Sequence, residues 1–156
     1  GRRMIKLQRI LVATDFSAHG KVAMRYAAAL AEQFGAEVIA VHIVEQSGVL
    51  PPLPTGERTF SEPTIALQVS RARDEAEKLL GELGAANSRV LVECGRPFVE
   101  IVRLARNEDA DLVVVGTHGH GAVAHMLLGS VAERVIRKSP CPVLVVREGE
   151  HDFVPP

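Results

Sequence analysis

In Ile10-Leu11-Val12-Ala13-Thr14-Asp15-Phe16-Ser17, four apolar residues run straight into a short polar turn that ends on serine. A brief apolar run without alternation suits a strand buried on both faces, the kind found in parallel sheets. Serine is a strong helix N-cap, because its hydroxyl accepts from an N–H group that the first helical turn leaves unpaired. Val22, Tyr26, Ala29, Leu30 and Phe34 then recur at helical spacing, so a helix is predicted from about Ala18 to Phe34, with Gly35 as its stop. With Ser17 on the cap, the Asp15 carboxylate is expected to stay free.

The same strand-turn-helix alternation continues outward. Val38 to Val44 reads as a second strand. Residues 46–63 contain Pro51, Pro52, Pro54 and Pro63 and read as a long surface loop. Ile65, Val69, Ala72, Ala76, Leu79, Leu80 and Leu83 make an amphipathic helix that ends near Gly84. Arg89 to Glu93 is a third strand, Gly95 turns the chain, and Pro97 stands where a first helical residue belongs. Ile101, Val102, Leu104 and Ala105 form the buried face of that helix. Asp111 to Val115 is the fourth strand. A Gly- and His-rich segment from Gly116 to Gly129 leads into a short helix, Ser130 to Lys138, expected to turn Val131, Val135 and Ile136 inward. Ser139-Pro140-Cys141-Pro142 breaks it before the last strand, Val143 to Val146, and residues 149–156 read as a flexible tail.

Five strands alternating with four helical segments imply one α/β domain over residues 1–156, with its core at about 6–147. The fold class is a doubly wound parallel sheet with helices on both faces. Ligands of such sheets sit at the carboxyl ends of the strands. That singles out the turn after strand one and the long connection after strand four.

Composition narrows the function. Hydrophobic residues are 47% of the chain but aromatics only 4%, so the core is aliphatic. A formal net charge of -1 gives no general attraction to nucleic acid or to an anionic membrane. No apolar run approaches the ~20 residues of a membrane span. Cys94 and Cys141 form no C-x-x-C pair and no zinc spacing, as expected of reduced cytoplasmic thiols. No signal-like segment precedes the first strand, and a cytoplasmic location is expected.

Gly116-Thr117-His118-Gly119-His120-Gly121-Ala122-Val123-Ala124-His125-Met126-Leu127-Leu128-Gly129-Ser130 carries the chemistry. Its glycines allow sharp turns and close approach of a ligand. Gly129-Ser130 open a helix whose free N–H groups and positive dipole end favour a phosphate, with the Ser130 hydroxyl as one more donor. The chain has neither G-x-x-x-x-G-K-[ST] nor, after strand one, G-x-G-x-x-G. On these residues alone, a phosphate loop and an ordinary Gly-rich connection both remain open. His118, His120 and His125 have no Cys or carboxylate beside them in the loop, which argues against a protein-held metal. His118 and His120 are candidates to donate to phosphate or to stay solvated. His42, inside an apolar strand, reads as a hydrogen-bonded core residue.

Gly116, Gly119, Gly129 and Ser130 reproduce G-x2-G-x9-G-[ST], and here the chain resembles the universal stress protein family. The resemblance runs from about Lys6 to Arg147. It includes Ile10 to Ser17 at the start and Ser139 to Val146 at the end. It implies strand order 3-2-1-4-5 and membership of the ATP-binding subgroup, which keeps the glycine pattern. It also implies that Asp15 meets the ribose hydroxyls and that the backbone of Ile43 reads the adenine edge. Ala13 and Thr14 beside Asp15, and Val131 after Ser130, complete the expected site. A Mg or Mn ion would be held mainly by the phosphates. The resemblance further implies a homodimer through the edge strand Val143 to Val146, with the downstream signalling partner unknown.

Two functions compete, beside a pure interaction protein with a vestigial loop, which the full glycine pattern argues against. One is a nucleotide-dependent stress-response or regulatory module. The other is an enzyme that hydrolyses ATP or transfers a nucleotidyl group, which is the activity of some proteins of related architecture. No Lys or Arg lies between Gly116 and Gly129 to stabilise charge on a transferring phosphate, so slow ATP hydrolysis at most is expected.

Overall fold

The computed structural model describes residues 4–45, 62–118 and 128–147. The elements run β1 (Arg9–Ala13), α1 (Ala18–Phe34), β2 (Glu37–Glu45), α2 (Glu62–Glu82), β3 (Ser88–Gly95), α3 (Pro97–Asn107), β4 (Leu112–Gly116), α4 (Ser130–Lys138) and β5 (Val143–Val146). All strands pair in parallel in the order β3-β2-β1-β4-β5. The order reverses at β1, so the carboxyl ends of β1 and β4 flank the crevice where such sheets take their ligands.

Strand alternation divides the core into two layers. Ile10, Val12, Val38, Ala40 and Val114 face α1 and α2. Leu11, Ile39, Val41, Val113 and Val115 face α3 and α4. Local signals account for several element ends. The Ser17 side chain accepts from Gly20 N, and Gly35 sits at φ 66 in the left-handed conformation that closes α1. Pro97 opens α3, where its missing N–H costs nothing.

Three expectations need correction. The face of α1 is only partly the predicted stripe: Val22 is buried as expected, but Gly20, Ala23, Met24, Ala27 and Ala31 are buried with it, whereas Ala29 is exposed and Phe34 is 58% exposed. This helix lies across β1 and β4, the middle of the sheet, and small residues let it approach closely. Larger residues such as Tyr26 and Leu30 pack at its flank. In α4 Val135 is buried and Val131 packs partly buried against the core as expected, but the other buried residue is Ala132, and Ile136 is 45% exposed, one residue past the stripe that meets the sheet. Finally, the predicted loop ends sooner than Pro63, because Glu62 and Pro63 belong to the first turn of α2. A first-turn N–H has no acceptor within the helix, so proline is tolerated there. The rest of that loop, 46–61, and the predicted tail, 149–156, lie outside the described residues.

Candidate functional site

A cleft of about 700 Å³ opens at the carboxyl ends of the strands. Its floor comes from the ends of β1, β2 and β4, and its walls from α2, α3 and the start of α4.

The turn after β1 is held by its own side chains. Thr14 Oγ1 accepts from Phe16 N at 3.1 Å. Asp15 Oδ1 accepts from Ser17 N at 3.0 Å and also from the Ser17 hydroxyl. Asp15 is therefore not the free carboxylate that capping by Ser17 suggests: one hydroxyl can accept from Gly20 N and still donate to Asp15. These bonds fix Phe16 at φ 62, a costly conformation for a side-chain-bearing residue that persists only when its surroundings over-determine it. The Phe16 ring lies 4.9 Å from that of His42. His42 Nδ1–H donates to the Thr14 carbonyl at 2.8 Å, tying the end of β2 to the same turn. His42 is hydrogen-bonded as expected, and it also lines the cleft.

Gly20 makes this packing possible. A Cβ there would lie 2.9 Å from both Asp15 Oδ1 and Thr14 Oγ1. A glycine in the first turn of a helix, where it is a poor helix former, was the available signal for this residue.

The end of β4 lies beside the turn, since β4 is the neighbour of β1. Thr117 is buried, and its N–H donates to Val146 O at 2.8 Å. Its carbonyl accepts from Gly129 N at 2.6 Å, which pins the start of α4 to the end of β4. The two described glycines of the predicted loop answer to the protein itself. A Cβ on Gly129 would sit 2.8 Å from Thr117 O, and one on Gly116 would sit 2.8 Å from His19 Cβ. At both positions a side chain would meet the protein itself, and both glycines also line the cleft. His19 Nδ1 is 3.4 Å from Thr117 Oγ1, and its ring stands 5.5 Å from that of His118. Gly129 has no side chain to cap α4, and Ser130, Val131 and Ala132, whose N–H groups have no acceptor within the helix, line the cleft.

Ala13, Thr14, Asp15, Ile43, Gly116, His118, Gly129, Ser130 and Val131 thus come together on one cleft. Gly119 and His120 lie outside the described residues, as does His125. Sequence reasoning missed the α2 wall, where Gln68, Arg71, Ala72 and Glu75 share one helical face. Among the described residues Arg71 forms no ion pair. The cleft therefore contains a cation, although the loop does not. Among the described residues no group of three or more His, Cys, Asp or Glu could hold a metal, and no helix is long and apolar enough to cross a membrane.

Comparison with known proteins gives one consistent answer. The sequence profile of the universal stress protein family matches residues 6–147. A universal stress protein of Thermus aquaticus is 38% identical over 140 residues, covering 88% of this chain and 97% of the relative. Universal stress protein MJ0531 of Methanocaldococcus jannaschii is 35% identical over 141 residues, covering 90% and 82%. Among solved structures, MJ0577 of the same organism superposes with a TM-score of 0.79 at 28% identity, covering 94% of this chain and all of that one. A universal stress protein in complex with cAMP gives 0.66 at 28% identity, covering 92% and 99%.

Proposed function

The chain belongs to the universal stress protein family, and on that premise we propose that it binds ATP and acts as a nucleotide-dependent stress-response or regulatory module. The observation that carries this reading is that Asp15 and the uncapped start of α4 line one cleft. An N-terminal helix end with a serine hydroxyl suits phosphate, and a carboxylate suits sugar hydroxyls. A volume of about 700 Å³ is within the usual range for small-ligand sites. The related structure in complex with cAMP supports a nucleotide as the ligand class.

In this reading Ser130 donates to the phosphates, Val131 adds its backbone N–H, and Asp15 accepts from the ribose. Ala13 and Thr14 flank the sugar, and the main chain of Ile43 meets the adenine edge. Gly116, His118, Gly119, His120 and Gly129 belong to the phosphate segment. A Mg or Mn ion would travel with the triphosphate. Hydrolysis is slow or negligible. Arg71 does not alter this, since α2 packs on β2 and β3 whereas the start of α4 follows β4, across β1. Two chains pair through β5 into a homodimer, because an exposed strand edge seeks a partner and the two-fold contact is the commonest solution.

The test is to denature purified protein and identify the nucleotide released. ATP supports the proposal. ADP or AMP together with multiple-turnover phosphate release at ~1 s⁻¹ or faster would make the protein an ATP-using enzyme. Nothing released, and nothing taken up from Mg-ATP, would refute nucleotide binding.

A further inference from the structure

Beside the main cleft lies a second hollow of about 470 Å³, with Glu45, Pro97, Ser130 and Val131 common to both. Its remaining wall is Gly95, Arg96, Phe98 and Arg134. Two guanidinium groups share one aromatic ring there. Arg96 lies 5.5 Å and Arg134 5.0 Å from the centroid of Phe98. Among the described residues neither arginine forms an ion pair, whereas Arg103 on α3 and Arg137 on α4 pair with Glu100 and Glu133. Arg96 also sits at the unfavourable, N-terminal end of its helix. Arg96 is the N-cap of α3 and makes no side-chain cap bond, and Arg134 is in the second turn of α4. Cations near a helix N-terminus oppose its dipole, and two cations held on one ring repel each other. The ring attracts both and fixes their planes, while their N–H edges remain available for bidentate contact with an anion. Glu45 is the third charged group on this wall, leaving a surplus of one positive charge.

We propose that this hollow is an anion subsite of the nucleotide cleft. Its ligand is a nucleotide that carries a further phosphate group beyond those bound at Ser130, which lines both spaces. The proposal rests on the nucleotide reading given above. The further phosphate can reach the hollow in two ways: as a substituent on the ribose, or along a longer polyphosphate chain that continues to another nucleoside. Both routes pass Pro97 and Val131, which belong to the two spaces alike.

Two ligand pairs distinguish the routes by calorimetry. Adenosine 3′,5′-bisphosphate is compared with AMP, and diadenosine tetraphosphate with ATP. Each titration is run on the parent protein and on the Arg96→Ala/Arg134→Ala double variant. Both side chains are exposed, and an unchanged thermal melt of the double variant without nucleotide serves as the control for intact folding. At least one extended nucleotide is expected to bind about tenfold or more tightly than its simpler counterpart. That gain should vanish in the double variant and return in part with Arg96→Lys/Arg134→Lys, which restores charge without the planar fork. If neither extended nucleotide gains, or if the gain survives loss of both arginines, the subsite is refuted while ATP binding stands. If ATP itself fails to bind the parent, the nucleotide reading falls and the subsite falls with it.

Discussion

Replacing Gly129 with alanine should weaken the protein before any ligand is added. The new Cβ would stand 2.8 Å from the carbonyl oxygen of Thr117, several tenths of an ångström inside ordinary carbon–oxygen contact. The oxygen cannot retreat easily, because Thr117 is buried and its own N–H holds Val146 O at 2.8 Å. The start of α4 must therefore move, stretching the 2.6 Å bond from Gly129 N to the same oxygen. Overpacking of this kind costs about 1–3 kcal/mol, and weakening the hydrogen bond adds ~0.5–1.5 kcal/mol. Against this, Gly129 has φ -70, which alanine adopts freely, so a reduced unfolded-state entropy returns ~0.4–1 kcal/mol. The net loss is about 0.5–4 kcal/mol, or roughly 1–16 °C in melting temperature for a chain of this size. Valine should lose more. Thermal melts without nucleotide, followed by ATP titration, make the comparison. A glycine kept only to give phosphates room would predict normal melting and lost binding. An alanine variant that melts with the parent would refute the packing argument.

Further expectations follow from the same geometry. Asp15→Asn keeps an oxygen that can accept from Ser17 but removes the charge, so melting should stay near the parent while ATP and adenosine weaken alike by ~1.5–3 kcal/mol in calorimetry; selective loss of ATP would move Asp15 off the sugar. In β5, the carbonyls of Pro142 and Val146 face β4, so by alternation Val145 points its N–H to the open edge. Val145→Pro should spare the β4 ladder and turn the expected dimer into monomer by light scattering, and an unchanged dimer mass would exclude this edge as the interface. Burial raises the Cys141 thiol above its ordinary range, and Asp111 adds to this. The stability this confers is present below the unfolded thiol value and declines as pH rises through the folded one. Alkylation of native Cys141 near pH 8 should be slow, and a rate matching a free thiol would contradict its burial.

How much of this was legible in the sequence depended on how local the cause was. Ser17, Gly35 and Pro97 act on their immediate neighbours, so the bounds of α1 and the start of α3 follow from them directly. The face of α1 depends on distance to the sheet, a tertiary quantity, and alanines chosen for close approach look weakly hydrophobic beside Phe34. The fold class follows from alternation, and the strand order from the resemblance carried by Gly116, Gly119, Gly129 and Ser130. Asp15 is recognisable as a cleft residue by its place after β1, but its bonds to Ser17 depend on a turn geometry that propensity does not encode. Arg71 is far from every motif in sequence. Only the packing of α2 on β2 and β3 carries it to the cleft.

The central claim is that one ligand spans this cleft, with its phosphates at Ser130. Calorimetry of ATP and adenosine against the parent and Ser130→Ala tests it most directly. The expected result is saturable ATP binding to the parent, weakened by ~1.5–3 kcal/mol in the variant, with adenosine binding nearly unchanged. Equal ATP affinity in parent and variant, or equal losses for both ligands, would contradict a phosphate site at the start of α4.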